Sequence, residues 1–142
     1  MTMRRRSLSL SLAALVMLSP LAVTRTAAAL TAYVTNERDD TMSVIDLDQM
    51  KTVKTVPVGQ RPRGITMTKD GSEILICASD DDTIKIVDPK TLRVIGDLPS
   101  GPDPETFALH VSGNPLYVSN EDDNLVTIID VPTPPSPGTL CW

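Results

Sequence analysis

The stretch YVTNERDDTMSVIDLDQMKTVKTVPVGQRPRGITMTKDG, residues 33–71, decides the fold because the chain repeats it in altered form at a spacing of 42 residues. Tyr33-Val34-Thr35-Asn36 aligns with residues 75–78 (LICA) and residues 117–120 (YVSN). The alignment needs no gap, and it extends to Val44-Ile45-Asp46, Pro57-x-Gly59-x-x-Pro62 and Asp70-Gly71. A chain with such a regular internal period is a repeat protein.

Each repeat predicts four short β-strands separated by turn residues. In the first copy the predicted strands are residues 32–36, 41–47, 52–58 and 64–68. A period near 40 residues made of β-strands is typical of propeller blades, whereas helical repeats would need a 3.6-residue apolar periodicity that is missing here. The sequence therefore predicts an all-β chain of four-stranded antiparallel blades, which start at about residues 32, 74 and 116.

The second strand of each repeat indicates how the blades pack. Its positions at Met42 and Val44 are apolar in every copy, while the opposite face mixes polar Ser43 with apolar Ile45. A strand that is apolar on one face and half apolar on the other is typical of a sheet enclosed between two neighbouring sheets. We therefore expect the blades to stack face to face.

Acidic hairpins join the first two strands of each repeat, at residues 37–40, 79–82 and 121–124. Asp and Asn suit such turns because they tolerate left-handed backbone and form local hydrogen bonds. The alternative is a calcium site, but these acids are consecutive and are not spaced at alternate positions as in the one-loop calcium motif. The pattern favours solvated turns and predicts no metal site.

The segment from Pro57 to Gly64 is predicted to cross from the outer strand of one blade to the inner strand of the next. Pro lacks a backbone donor and Gly permits tight turns, so their repetition here has a structural explanation. Such crossings line the channel mouth of a closed propeller, where binding groups commonly lie. The candidate binding residues are therefore the charged residues of two successive crossings, Arg61, Arg63, Asp103 and Glu105; the alternative is plain solvated loops.

Residues 1–29 lie outside the repeat and have the three parts of a secretory signal peptide. Arg4-Arg5-Arg6 is the positive region, residues 8–23 are apolar, and the run Ala27-Ala28-Ala29 suits signal peptidase. We predict export to the periplasm and cleavage between Ala29 and Leu30. The alternative is an uncleaved membrane anchor, which the interruption of the apolar run by serines and a proline disfavours.

Cleavage would leave a strongly acidic chain. Four of the 13 Lys and Arg residues and none of the 18 acids precede residue 30, so the processed chain has nine basic residues and a net charge of −9. Such a surface repels phosphate backbones and anionic lipids. We therefore expect no nucleic-acid partner and no membrane association after cleavage.

The residues that support catalysis are few. Cys77 takes a small position on a predicted strand, Cys141 lies outside the repeat, and His110 is the only histidine. Two cysteines and one histidine form no disulfide framework, haem-attachment motif or histidine-rich metal cluster. We interpret Cys77 as a buried inert thiol and His110 as an ordinary strand residue, and we predict no catalytic residue and no cofactor.

The repeat ends at Val131. Residues 132–142 contain four prolines where the register requires a β-strand, and proline is excluded from the interior of sheets. The third blade is therefore predicted to be incomplete, followed by an aberrant Pro-rich tail. We expect a truncated product, ended by a frameshift or gene-model error, that is marginally stable, aggregation-prone or dependent on self-association through open blade edges; the alternative is a genuine short protein capped by its tail.

The motifs of residues 33–36, 42–46 and 56–64 resemble the YVTN family of β-propeller repeats over about residues 32–131. Within that family, the leader and the acidic hairpins most resemble the exported group associated with PQQ-dependent alcohol catabolism. The resemblance implies a seven-repeat parent encoded beside transport and quinoprotein dehydrogenase genes. LICA in place of YVTN, and Glu105-Thr106 in place of Arg63-Gly64, depart from the family pattern in the second repeat.

Two functional hypotheses follow. The first is a non-enzymatic periplasmic binding or scaffold protein, with a protein or small molecule as its partner, associated with PQQ-dependent alcohol catabolism. The second is a fragment of a propeller enzyme, lactonase-like or quinoprotein amine dehydrogenase-like, in which loops from a full ring form one site. The position of His, Arg and acidic residues on the loops distinguishes them.

Overall fold

The computed structural model describes residues 30–131. The predicted signal peptide, its cleavage after Ala29, the Pro-rich tail and Cys141 fall outside these residues. Within the described range the chain contains β-strands and two single-turn 3-10 helices. The strands are β1 (Thr31–Asn36), β2 (Thr41–Asp46), β3 (Lys51–Pro57), β4 (Pro62–Met67), β5 (Ile74–Ala78), β6 (Thr83–Asp88), β7 (Arg93–Pro99), β8 (Pro104–Leu109), β9 (Leu116–Asn120) and β10 (Leu125–Ile129).

The four strands predicted for the first repeat are confirmed to within two residues at each end. Strands form there because the segments are rich in β-branched residues, such as Thr52, Val53 and Thr55 of β3. The 3-10 turns span Glu37–Asp39 and Ser79–Asp81, in the acidic hairpins between the first two strands of each repeat. The residue that follows each turn has a left-handed backbone, with φ of 57° at Asp40 and 55° at Asp82.

The strands form three antiparallel sheets. The first sheet is β1-β2-β3, the second is β4-β5-β6-β7 and the third is β8-β9-β10. The sheets therefore begin one strand earlier than the sequence repeat, at Pro62 and Pro104, and not at about residues 74 and 116. The fourth strand of each repeat pairs with the next repeat, because the crossing that precedes it carries the chain to the neighbouring sheet.

The second sheet lies between the other two, and each of its faces has a core. One core joins Met42, Val44 and Val56 of the first sheet to Ile74, Ile76 and Val87 of the second. The other joins Leu75, Cys77, Ile84 and Leu98 of the second sheet to Leu116, Val118 and Ile129 of the third. All five residues of β5 are buried, as expected for a strand covered on both faces.

The described residues thus form propeller-like blades, one four-stranded and two three-stranded, that do not close into a ring. This arrangement confirms the predicted all-β, incomplete propeller. No helix of the described residues is long and apolar enough to cross a membrane. The stacking places the hairpins and the crossings of all three sheets at one end, where the candidate residues lie.

Candidate functional site

We call this end the loop end and define it by the hairpins 37–40, 79–82 and 121–124 and by residues 57–63 and 99–105, which comprise the crossings and the first residues of β4 and β8. Hydrogen bonds join hairpins and crossings. The Val58 amide donates to the Asp40 carbonyl at 3.2 Å, and the Ser79 amide donates to the Arg61 carbonyl at the same distance. The second crossing repeats this with the Glu121 amide and the Asp103 carbonyl, at 3.1 Å. The sequence repeat therefore builds the same loop framework twice.

Arg61 and Asp103 take the same position in successive crossings, and both have left-handed backbones, with φ of 48° and 43°. This conformation is uncommon outside glycine. It is held in place by the preceding hairpin: the Asp40 carboxylate accepts a hydrogen bond from the Arg61 amide at 2.8 Å, and Asp82 accepts one from the Asp103 amide at 3.0 Å. Gly59, with φ of 116°, begins the turn.

The Arg61 guanidinium contacts carboxylates of all three sheets. Its Nε lies 3.3 Å from Glu37 Oε1 of the first sheet, and its Nη1 lies 3.4 Å from Asp80 Oδ1 of the second. Toward the third sheet, Nη1 is 3.3 Å from Asp103 Oδ1 and Nη2 is 3.8 Å from Glu105 Oε1. A planar guanidinium with five donors can contact several carboxylates at once, which a lysine ammonium does less well.

Arg63, the first residue after Pro62 in β4, makes a second set of ion pairs. Its Nη2 donates to Glu37 Oε1 at 3.0 Å, and its Nη1 pairs with Glu105 Oε1. Its Nη1 also lies 3.8 Å from Glu121 Oε2. Together the two arginines and five carboxylates form a network across the loop end, with an excess of three negative charges.

The network shifts the pKa values of its exposed members. Hydrogen bonds from Arg63 and then Arg61 hold the pKa of the Glu37 carboxyl below its usual value. The same contact with Glu37, followed by contact with Asp80, raises the pKa of Arg61 above its usual value. Exposed pairs of this kind each contribute little to stability, because water screens them. Water screens the pair between Arg61 and Asp103 less, since the Asp103 side chain is only 12% exposed.

All four candidate residues predicted from the sequence lie in this network: Arg61, Arg63, Asp103 and Glu105. The sequence reasoning missed Glu37, Asp80 and Glu121, which were predicted to be solvated turn residues. They belong to the hairpins, and the hairpins and the crossings share one end of the sheets. For Glu37, the signal that could have found it is the opposite charge of Arg61 and Arg63 in the crossing that follows its hairpin.

One group of acids within residues 30–131 has the spacing of a possible metal site. Carboxylate oxygens of Asp103, Glu105 and Glu121 lie within 4.8 Å of one another. Each of these three side chains already contacts a guanidinium of Arg61 or Arg63. A cation would have to displace both arginines, so the arrangement is an ion-pair network.

Cys77 and His110 lie away from the loop-end network. Cys77 is fully buried between the second and third sheets, and burial raises the pKa of its thiol to about 12. His110 lies one residue beyond β8 and is not on a strand, which corrects the prediction for this residue. Its Nδ1 lies 2.7 Å from Ser112 Oγ in an exposed turn, whose Gly113 amide donates to the His110 carbonyl.

Comparisons with solved structures show the propeller fold. The chain superposes on hydrazine synthase of Kuenenia stuttgartiensis with a TM-score of 0.65 and 22% identity, covering 70% of this chain and 29% of that one. A provisionally assigned 6-phosphogluconolactonase from Bacteroides uniformis gives 0.59 and 20%, covering 69% and 32%. The WD40 propeller domain of Doa1 gives 0.58 and 17%, with the same coverage.

The chain therefore spans about a third of the length of each of these structures. A search of curated protein sequences finds no match. A family model for YNCE-like β-propellers matches residues 8–131, which is most of the chain. With its 42-residue repeat, its stacked antiparallel sheets and this match, the chain belongs to the YNCE-like β-propeller family.

Proposed function

We propose that the chain is a non-enzymatic binding or scaffold protein of the periplasm that serves PQQ-dependent alcohol catabolism, and that its binding surface is the loop end. One observation supports the binding surface most directly: the loop end presents two arginines and five carboxylates, drawn from all three sheets, on a partly exposed face. Loops held by a rigid scaffold are common binding sites.

The charge pattern indicates the chemistry of the partner. An excess of carboxylates over guanidinium groups attracts a partner that carries positive charge or many hydrogen-bond donors. The two arginines, already engaged with Glu37 and Glu105, hold the carboxylates in fixed positions. A preorganised polar surface loses less conformational entropy on binding than a flexible one.

Growth of a deletion strain tests the pathway. Loss of the gene should impair growth on a primary alcohol as sole carbon source and leave growth on an organic acid unchanged. The wild-type gene should restore growth. Arg61→Gln/Arg63→Gln should not, whereas Lys54→Gln/Arg93→Gln, which removes the same charge from the exposed strands β3 and β7, should. Equal growth of the deletion strain on both carbon sources would refute the pathway.

Export has its own measurement. Mass spectrometry of the periplasmic fraction should find a mature chain that begins at Leu30. An intact chain from Met1 in the membrane fraction would refute export with cleavage.

The competing function is a lactonase-like or quinoprotein amine dehydrogenase-like enzyme. The purified chain would then turn over a lactone or an amine, and Arg61→Gln/Arg63→Gln would abolish this activity. That result would replace the binding proposal.

A further inference from the structure

The first and third sheets each have one face that no other sheet of residues 30–131 covers. In the third sheet, Tyr117 pairs with Ile128 and Ser119 pairs with Val126, on the face opposite the buried Leu116 and Val118. Val126 is 64% exposed and Ile128 65% exposed. In the first sheet the uncovered face carries Ala32, Val34 and Ile45, and Val34 is 44% exposed.

The two internal sheet interfaces show what such faces pack against. Met42 and Val44 of the first sheet pack on the face of the second sheet that carries Ile76 and Val87. Ile84 and Ile86, 42 residues later, pack on the face of the third sheet that carries Val118 and Ile129. The molecule thus uses one sheet-to-sheet interface twice, in the same repeat register.

The uncovered faces carry the two halves of that same interface. Val126 and Ile128 occupy the repeat positions of Ile84 and Ile86. On the first sheet, Val34 and Ile45 occupy the repeat positions of Ile76 and Val87. The open face of the third sheet is therefore built to receive a sheet like the first one. Exposed apolar patches of this kind mark interaction surfaces.

We propose that the open face of the third sheet docks on the open face of the first sheet of a second copy of this chain. The contact is head to tail, so each copy uses two different surfaces. Two such contacts related by a twofold rotation close a ring of six sheets, within the 4 to 8 blades that are typical of propellers. Each copy then covers the two faces that the other leaves in water.

One basic residue, Arg38, lessens the repulsion between the acidic hairpins in this pairing, although the hairpin 37–40 remains net −2. The proposed contact places the hairpin 121–124 of one copy beside the hairpin 37–40 of the next, as the hairpins of neighbouring sheets lie within one copy. Arg38 takes the position at which the other two hairpins carry Asp80 and Asp122. It forms no ion pair with the residues that the structure describes. In the dimer it would face Glu121, Asp122 and Asp123 of the second copy.

Measurement of the mass of the processed full chain by sedimentation or light scattering tests the proposal. We expect twice the mass of one chain. Val126→Lys on one face and Val34→Lys on the other should each reduce self-association at least tenfold. Ile95→Lys is the matched control, because Ile95 is 58% exposed on β7 and lies on neither open face. Circular dichroism establishes that each variant remains folded.

Mixing the two lysine variants distinguishes head-to-tail from symmetric contact. Each variant retains one intact face, and these faces are complementary, so the mixture should form a heterodimer at concentrations at which each variant alone is monomeric. A Val34→Lys chain that still dimerises would mean that two third sheets contact each other, which overturns the proposal. A monomeric wild-type chain would also overturn it, and dimerisation only after removal of residues 132–142 would assign the open face to that segment.

Discussion

Ile84 of the second sheet and Val126 of the third occupy the same repeat position, yet Ile84 is fully buried and Val126 is 64% exposed. Ile84 lies on the internal strand β6 and Val126 on the edge strand β10, and both pair in the same register, Ile84 with Cys77 and Val126 with Ser119. The difference is that a neighbouring sheet covers the first position and not the second. In repeat proteins, much of the stability comes from the interfaces between neighbouring repeats. The comparison teaches that the repeat specifies the strand, while burial depends on the next repeat.

The largest contrast concerns the thiol at one repeat position. Cys77 is fully buried with a pKa of about 12, whereas the equivalent Ser119 lies on the open face of the third sheet. At pH 8 a thiol with that pKa is about one part in ten thousand thiolate, against roughly a quarter for an ordinary cysteine. In a Cys141→Ser background, Cys77 should react with a disulfide reagent roughly a thousandfold more slowly than the thiol of Ser119→Cys/Cys77→Ser/Cys141→Ser. Equal rates in the folded proteins would mean that the second sheet is not covered on that face.

A smaller contrast concerns side-chain packing. Ile84→Ala should lower the free energy of unfolding by about 2–5 kcal/mol, because it leaves a cavity between two sheets. Val126→Ala should change it by less than about 0.5 kcal/mol, because this side chain is in water. Urea unfolding at low protein concentration, where self-association is weak, measures both. A loss at Val126 as large as the loss at Ile84 would show that the open face is covered in the monomer.

The sequence predicted the strands and the stacking well, because both depend on local pattern. Alternation at Met42 and Val44 and the Pro and Gly residues of the crossing are sufficient to set strand boundaries. The grouping of strands into sheets was offset by one strand, because pairing depends on which repeat the fourth strand reaches. That choice is made by contacts far apart in sequence, such as Pro62 with Ala78.

The loop-end network was only half predicted, for the same reason. Arg61, Arg63, Asp103 and Glu105 were identified by their place in the crossings, which is a local feature. Glu37 lies 24 residues before Arg61, and the contact between their side chains depends on how the first sheet stacks on the second. Turn chemistry explains an acid in that hairpin equally well. Only the three-dimensional arrangement distinguishes the two roles.

Gly64 on the inner strand β4 and Gly96 on the outer strand β7 also differ in how closely the neighbouring sheet approaches them. A Cβ on Gly64 in β4 would lie 3.0 Å from the Glu105 carbonyl oxygen and 3.0 Å from Thr106 Cα, in the neighbouring sheet. Gly64→Ala should therefore cost about 1–3 kcal/mol through overpacking. Gly96→Ala on the outer strand β7 meets only Ile86 Cδ1, at 3.8 Å, and should change stability by less than about 0.5 kcal/mol. Thermal unfolding of both variants measures the difference, and equal costs would contradict close packing of β4 on β8.

The smallest expected effect is the pH dependence of the loop end, compared with the opposite end of the second sheet. Contact with Arg63 and Arg61 lowers the pKa of Glu37. Its contribution is therefore present above the pKa of the unfolded chain and is lost as the pH falls through the lower folded value. Glu37→Gln should be less stable than the wild type at neutral pH, and the difference should vanish in acid. Because the carboxylate is exposed, added salt should also reduce this difference.

Glu73, in the turn between β4 and β5, supplies the control of opposite sign. Burial, followed by repulsion from Asp70, raises the pKa of Glu73. Its ionised form therefore destabilises the fold above its raised pKa, and this penalty disappears below the pKa of the unfolded chain. Glu73→Gln should be more stable than the wild type at neutral pH, with the difference again vanishing in acid. Unfolding curves recorded from neutral pH to about pH 3, below the ordinary Glu value, measure both variants. Deviations of the same sign in the two would mean that net charge, and not the arginine contacts, controls the acid response.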